Sequence, residues 1–143
     1  MQKYNLILEV ISNYNIEKKV TSPKDIKALV ETMFNLSNQA EEVFILLGLS
    51  SKGDVIGALE ISRGTINSSF ASPREIFKRA LALNAPKIVL SHNHPSGDMT
   101  PSNSDIEATR IIKEAGDILD IELIDHVIVS HNGYNSLKER GVL

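Results

Sequence analysis

Two histidines one residue apart, His92 and His94, end an apolar run and lead into "PSGDMTPSNSD", a stretch rich in turn formers, hydroxyls and acids. On a strand, residues i and i+2 share a face. If "KIVLSHNH" stays extended, the two imidazoles project together and Asn93 faces away. Two imidazoles on one side make half of a metal site, and imidazole suits zinc among other first-row ions. Eleven residues after His94 comes Asp105. With Ser102 three residues before it, this acid has the pattern of a helix capping box, and acids favour the first helical turn. It also lies at the edge of the stripe Ala108, Ile112, Ala115 and Leu119, where an unpaired buried charge would be expensive. Capping and ligation are compatible. Two histidines and one carboxylate give three protein ligands and leave a fourth tetrahedral position for water, the count of a catalytic rather than a structural zinc. Zinc brings the pKa of its bound water to about 7. Such chemistry needs a further carboxylate to take and return the proton. Glu41 and Glu42 open the apolar run "VFILL", and strand alternation lets only one of them face the site.

The elements that must position these groups are legible in outline. "TSPKDIKALVETMFNLS" begins a helix, with Ser22 as N-cap and Pro23 at the first helical position. Ile26, Leu29, Val30, Met33, Phe34 and Ser37 follow at helical spacing. "VFILLGL" over 43–49 is a continuous apolar run of strand length, as expected of a strand covered on both faces. "SSKGD" is turn chemistry and "VIGALEIS" resumes the pattern, so the pair reads as a β-hairpin. "GTINSSF" is read as a further strand. "ASPREIFKRALALN" repeats the Ser-Pro helix start, with Ile76, Phe77, Ala80 and Leu81 inward. "PKIVLSH" is a short buried strand. A helix from about Ser104 to Leu119 follows, with Ala108, Ile111, Ile112, Ala115 and Leu119 inward, and "IELIDHVIVS" is the last strand. Tyr4–Ile11 and Ile16–Val20 read as two short strands around "SNYN". Mixed strands and helices with an early hairpin predict a single α/β (α+β mixed) domain around one mixed sheet.

Composition narrows the classes of function. The chain has 143 residues, enough for one hydrophobic core, with 42% hydrophobic and 23% charged residues, as in globular proteins. A formal net charge of −3 and a pI of about 5.8 argue against nucleic acid as a tight partner. The sequence contains no cysteine, which excludes disulfides, thiolate metal ligands and a cysteine nucleophile. Any metal must therefore be held by His, Asp or Glu. The N-terminus has no convincing signal peptide, and no stretch reaches the ~18 apolar residues of a spanning helix. A cytoplasmic protein with no membrane attachment is the simplest reading.

His92-x-His94, seven intervening residues, then Ser102-x-x-Asp105, with an upstream Glu before an apolar strand, resembles the JAMM (MPN+) metalloprotease motif. "GTINSSFASPREIFKRALALNAPKIVLSHNHPSGDMTPSNSDIEATR" and "IDHVIVSHNGYNSLKERGVL" are closer still to the RadC family, over roughly residues 22 to 143. The resemblance implies a JAMM/MPN-like (cytidine deaminase-like) sheet flanked by helices. It implies one zinc ion on His92, His94 and Asp105, Glu42 as general acid/base, and Ser102 supporting a developing oxyanion. It implies a metallohydrolase acting on a peptide or isopeptide bond. RadC proteins usually carry an N-terminal helix-hairpin-helix-like region linked to DNA. Residues 1–21 do not resemble it and are read as a hairpin-like extension of a RadC/JAMM domain over 22–143.

Asp125 and His126 in "IDHVIVS" also match the family, and could orient a ligand from behind or simply form a satisfied polar pair. His131, beside "NGY", reads as a surface histidine. Arg74 and Asn93 recur in the family pattern without an evident catalytic role. Lys18-Lys19 and Lys78-Arg79 are too sparse for a nucleic-acid patch. Two other functions compete: a DNA-processing factor, as nuclease or accessory, and a scaffold that binds partners without chemistry. The second of these is disfavoured because every ligand is retained.

Overall fold

The computed structural model describes residues 1–15, 19–64 and 72–143. The first helix, α1 (Pro23–Phe34), starts as its sequence predicts. The Ser22 side chain accepts the Asp25 N–H, and the Asp25 carboxylate accepts the Ser22 N–H, which closes a capping box. A short 3-10 turn over Leu36–Asn38 leads to strand β1 (Val43–Leu49), buried along its whole length. Strand β2 (Val55–Arg63) returns antiparallel to β1 as the expected hairpin. Then follow α2 (Pro73–Ala82), β3 (Lys87–Asn93), α3 (Asn103–Leu119), β4 (Glu122–Ser130) and β5 (Gly133–Ser136).

The five strands form one mixed sheet in the order β2-β1-β3-β4-β5. Only the β3–β4 pair is parallel, because α3 carries the chain back across the sheet between them. Alternation along β1 and β3 sends side chains to two separate cores. Phe44, Leu46, Ile88 and Leu90 pack with Ile76, Phe77 and Ile112 of α2 and α3. Val43, Ile45, Leu47 and Val89 pack with Ile26, Leu29 and Val30 of α1. Helices thus cover both faces, which is why β1 and β3 are apolar throughout. This is the expected mixed sheet flanked by helices. Among the described residues, no helix is long and apolar enough to cross a membrane.

Three sets of expectations need correction: the N-terminal strands, three inward-facing residues and the last strand. Residues 1–15 form no strand and are exposed, whereas Lys19 makes an isolated antiparallel bridge to Asp54. Tyr4–Ile11 has a strand-like pattern but pairs with no strand among the described residues. Leu81, Ile111 and Leu119 point outward, at 60%, 45% and 45% exposure. Leu81 and Leu119 lie on the last turns of their helices, around a shallow surface depression. Ile111 stands about 100° around the helix from buried Ile112. "IELIDHVIVS" is not the last strand: β5 follows it in "GYNS", a segment with turn chemistry that pairs antiparallel with β4. The strand read in "GTINSSF", and part of the second N-terminal one, fall outside the described residues.

Gly116 shows how closely α3 lies on the chain that follows it. A Cβ built there would clash with the Ile121 carbonyl oxygen and meet Phe77 Cζ at 3.3 Å. The chain turns at Asp120 in the left-handed region, and the Ile121 N–H reaches back 2.9 Å to the Gly116 carbonyl. Gly116→Ala should therefore reverse the usual helix gain of about 1 kcal/mol and destabilise by about 1–3 kcal/mol through overpacking. A urea midpoint that rises in the variant would contradict this packing.

Candidate metal centre

The centre forms where the end of β3, the start of α3 and the approach to β1 meet. His92 is fully buried on the α2/α3 side of the sheet, opposite Phe44 of β1 in register. Its ring stacks on Phe44, with centroids 5.2 Å apart and planes at 11°. His94 lies one residue past the strand, yet its N–H still bonds to the Val129 carbonyl at 3.1 Å, so its side chain keeps the His92 direction. The turn at Gly97, with φ of +87°, then brings the Asp98 carbonyl to 2.6 Å from His94 Nδ1. A carbonyl can only accept, so Nδ1 donates and Nε2 is the inward atom.

Asp105 both caps and faces the centre. Its Oδ2 accepts the Ser102 N–H at 2.9 Å while its own N–H bonds to Ser102 Oγ at 3.0 Å. From that position Oδ1 lies 3.5 Å from His92 Nε2 and Oδ2 lies 3.4 Å from His94 Nε2. The two Nε2 atoms are 3.0 Å apart, and Glu42 Oε1 approaches His92 Nε2 at 3.9 Å. One ligand atom from each of Glu42, His92, His94 and Asp105 lies within 4.8 Å of all the others. With its Nδ1 engaged elsewhere, each neutral ring offers a lone pair, and both carboxylates only accept. With both rings neutral, four acceptors face one another, a set that fits a divalent cation; in the metal-free protein a proton on an imidazole Nε2 can take its place.

The electrostatics agree. Burial works to raise the Asp105 pKa, but hydrogen bonds with protonated His92 or His94, the charge of His92 and the Ser102 N–H outweigh it, holding the carboxyl well below the usual range. The same contact with Asp105 raises His94 above the ordinary imidazole value, against partial burial and with help from the Asp98 carbonyl and Glu42. His126 is pushed well below it, chiefly by complete burial and further by the charge of His92, and so stays neutral.

Of the residues singled out in the sequence, the structure brings together Glu42, His92, His94 and Asp105, with Ser102 at the rim as the cap. Between the two adjacent acids it selects Glu42, because Glu41 is exposed and does not join the cluster. It also separates Asp125 from His126. His126 Nε2 is 2.7 Å from His92 Nδ1, directly behind the centre. Asp125 points away, accepting from Ser136 Oγ at 2.6 Å and from the Lys138 N–H at 3.1 Å. His131 and Arg74 are exposed. Three residues escaped sequence reasoning. Phe44 is, in the sequence, one apolar residue in the run "VFILLGL". Thr109 is a polar residue at i+4 from Asp105, on the same helix face. Asn93, recognised as facing away, clips the chain that carries Glu42: its Oδ1 accepts the Val43 N–H at 2.7 Å, and its Nδ2 donates to the Glu41 carbonyl at 2.9 Å.

The family model for the RadC-like JAB domain matches residues 20–142. The chain belongs to this family. Among curated relatives, a UPF0758 protein of Clostridium beijerinckii is 46% identical over 129 residues, covering 90% of this chain and 56% of the relative. A UPF0758 protein of Desulfitobacterium hafniense is 47% identical over 134 residues, covering 94% of this chain and 58% of the relative. The chain thus spans a little over half the length of these relatives. A RadC-like JAB domain holding a His/His/Asp/Glu cluster that could bind a metal ion fits a metal-dependent hydrolase.

Proposed function

We propose that this RadC-like domain is a zinc-dependent hydrolase of peptide or isopeptide bonds, with Glu42 as general acid/base. The observation that carries the reading is the inequality of the two carboxylates. The Asp105 side chain is 7% exposed and pinned by its cap and both imidazoles, whereas the Glu42 side chain is 25% exposed on the open side. The pinned acid suits a ligand, and the reachable one suits proton transfer. His92, His94 and Asp105 would hold the ion and leave one position open. When bound, zinc supplies Lewis acidity, acidifying water and polarising an acyl oxygen. Glu42 takes the proton of the attacking water and returns it to the leaving amine. Ser102 Oγ accepts the Asp105 N–H, so its own hydrogen is free to donate to the developing oxyanion.

The expected outcome is uptake of one Zn2+ per chain and cleavage within a peptide library but not of single-stranded DNA. Affinity should fall as pH is lowered. The raised pKa of His94 means that a proton is bound there at pH values above the ordinary imidazole pKa of about 6.5. That proton must leave before Nε2 can ligate, so binding releases it and affinity grows until pH passes the metal-free pKa. Chelator-competition titrations between about pH 6 and pH 8 measure this slope. Failure to take up zinc would remove the metal centre, and cleavage of DNA alone would overturn the substrate class.

A further inference from the structure

Behind His92 lies a chain of hydrogen bonds that reaches no solvent and ends on the backbone of α3. We infer that Thr109 and His126 act as a positioning relay that fixes the tautomer of His92 and keeps its Nε2 lone pair aimed into the centre. The inference rests on the metal site proposed above.

The proton positions follow link by link. The Thr109 hydroxyl has one hydrogen and lies 2.6 Å from the Asp105 carbonyl, one helical turn back. A carbonyl only accepts, so that hydrogen is committed. His126 Nδ1 lies 2.6 Å from the same Thr109 oxygen, and must therefore be the donor. His126 is 1% exposed and Thr109 is wholly buried, a setting where a second ring proton and its charge would be expensive. His126 Nε2 then carries a lone pair. It lies 2.7 Å from His92 Nδ1, which donates to it, and His92 Nε2 is left bare on the inner side. Phe44 sets both ring planes, stacked on His92 and edge-on to His126 at 64°. Metal-binding histidines usually gain this orientation from a carboxylate, a carbonyl or water. Here it comes from a neutral histidine and a threonine, and the terminal acceptor is the carbonyl of Asp105 itself. The relay thereby couples the strand ligand to the helix ligand.

Thr109→Val keeps the side-chain shape and removes the hydroxyl, whereas Thr109→Ser keeps the hydroxyl. In metal-free wild type, histidine side-chain 15N shifts should show His92 protonated at Nδ1 and bare at Nε2, with His126 in the same tautomer. Thr109→Val should lose this single tautomer and weaken Zn2+ binding about 10–100-fold, the usual effect of losing such a partner, while Thr109→Ser stays near wild type. A wild-type His92 carrying its proton on Nε2 would overturn the relay, as would a Thr109→Val protein with unchanged tautomer and affinity. The wild-type spectrum decides the matter even if Thr109→Val does not fold. Because the tautomer is read without metal, a protein that takes up no zinc would defeat the proposed hydrolase and leave the relay separately judged.

Discussion

Glu42→Gln should take up zinc like the wild type and lose hydrolysis. The substitution keeps the shape of the side chain and removes its ability to accept a proton. A general acid/base contributes about 10²–10⁴-fold to rate, so kcat should fall by that order. Metal content should hold because the closest contacts in the cluster are among the other three groups. The imidazole Nε2 atoms lie 3.0 Å apart and 3.4–3.5 Å from Asp105, against 3.9 Å from His92 to Glu42. Stability should hold as well, since the Glu42 side chain is part-exposed and the Gly64 N–H bonds to its backbone carbonyl, at 2.9 Å, which the substitution leaves in place. The measurements are zinc stoichiometry, kcat on a cleaved peptide and the melting temperature of the same preparation. Parallel loss of metal and activity would make Glu42 a ligand. Undiminished kcat would remove it from the reaction.

The parts of this site that were legible in the sequence are those governed by short-range rules. Ser22 and Ser72 announce helix starts because an N-cap is satisfied within three residues. The same rule places Ser102 and Asp105, and alternation places His92 and His94, so four of the relevant residues follow from local geometry alone. The choice between Glu41 and Glu42 came from family resemblance, because alternation shows only that the two acids point opposite ways. The structure then supplied the direction.

What escaped was set by pairings between distant segments. Whether Asp125 or His126 backs the centre depends on which face of β4 meets β3, and parity cannot be assigned without knowing the register. Thr109 looks like a mild helix defect until His126, 17 residues later, arrives beside it. Phe44 gains its meaning only from lying opposite His92. The misread outward residues have a related cause. Leu81 and Leu119 keep helical periodicity into the last turns of their helices, where they stay exposed, and Tyr4–Ile11 keeps a strand pattern that pairs with no strand among the described residues.

Asn93 is the clearest case of a long-range role hidden between two local ones. Flanked by two candidate ligands, it serves the opposite face of the sheet, and Asn93→Ala should damage both stability and turnover. Its amide accepts the Val43 N–H at 2.7 Å and donates to the Glu41 carbonyl at 2.9 Å and the Gln39 carbonyl at 3.3 Å. Truncation leaves these groups without their side-chain partner, and a buried unsatisfied group costs about 1–3 kcal/mol. For a domain of this size each kcal/mol lowers the melting temperature by about 2–4 °C, so a fall of several degrees is expected. Glu42 lies between Glu41 and Val43, both held by Asn93, so its carboxylate should lose its fixed placement. His92 and His94 are held from the other side by His126 and the Asp98 carbonyl. Zinc affinity should therefore fall far less than kcat. Asn93→Asp sharpens the test, because it keeps an acceptor for Val43 but sets an oxygen against the Glu41 and Gln39 carbonyls. If the clip works through its donor side, the Asp variant should be no better than the Ala variant in kcat. If Asp restores turnover, the Val43 bond alone positions Glu42, and the contacts to Glu41 and Gln39 are dispensable.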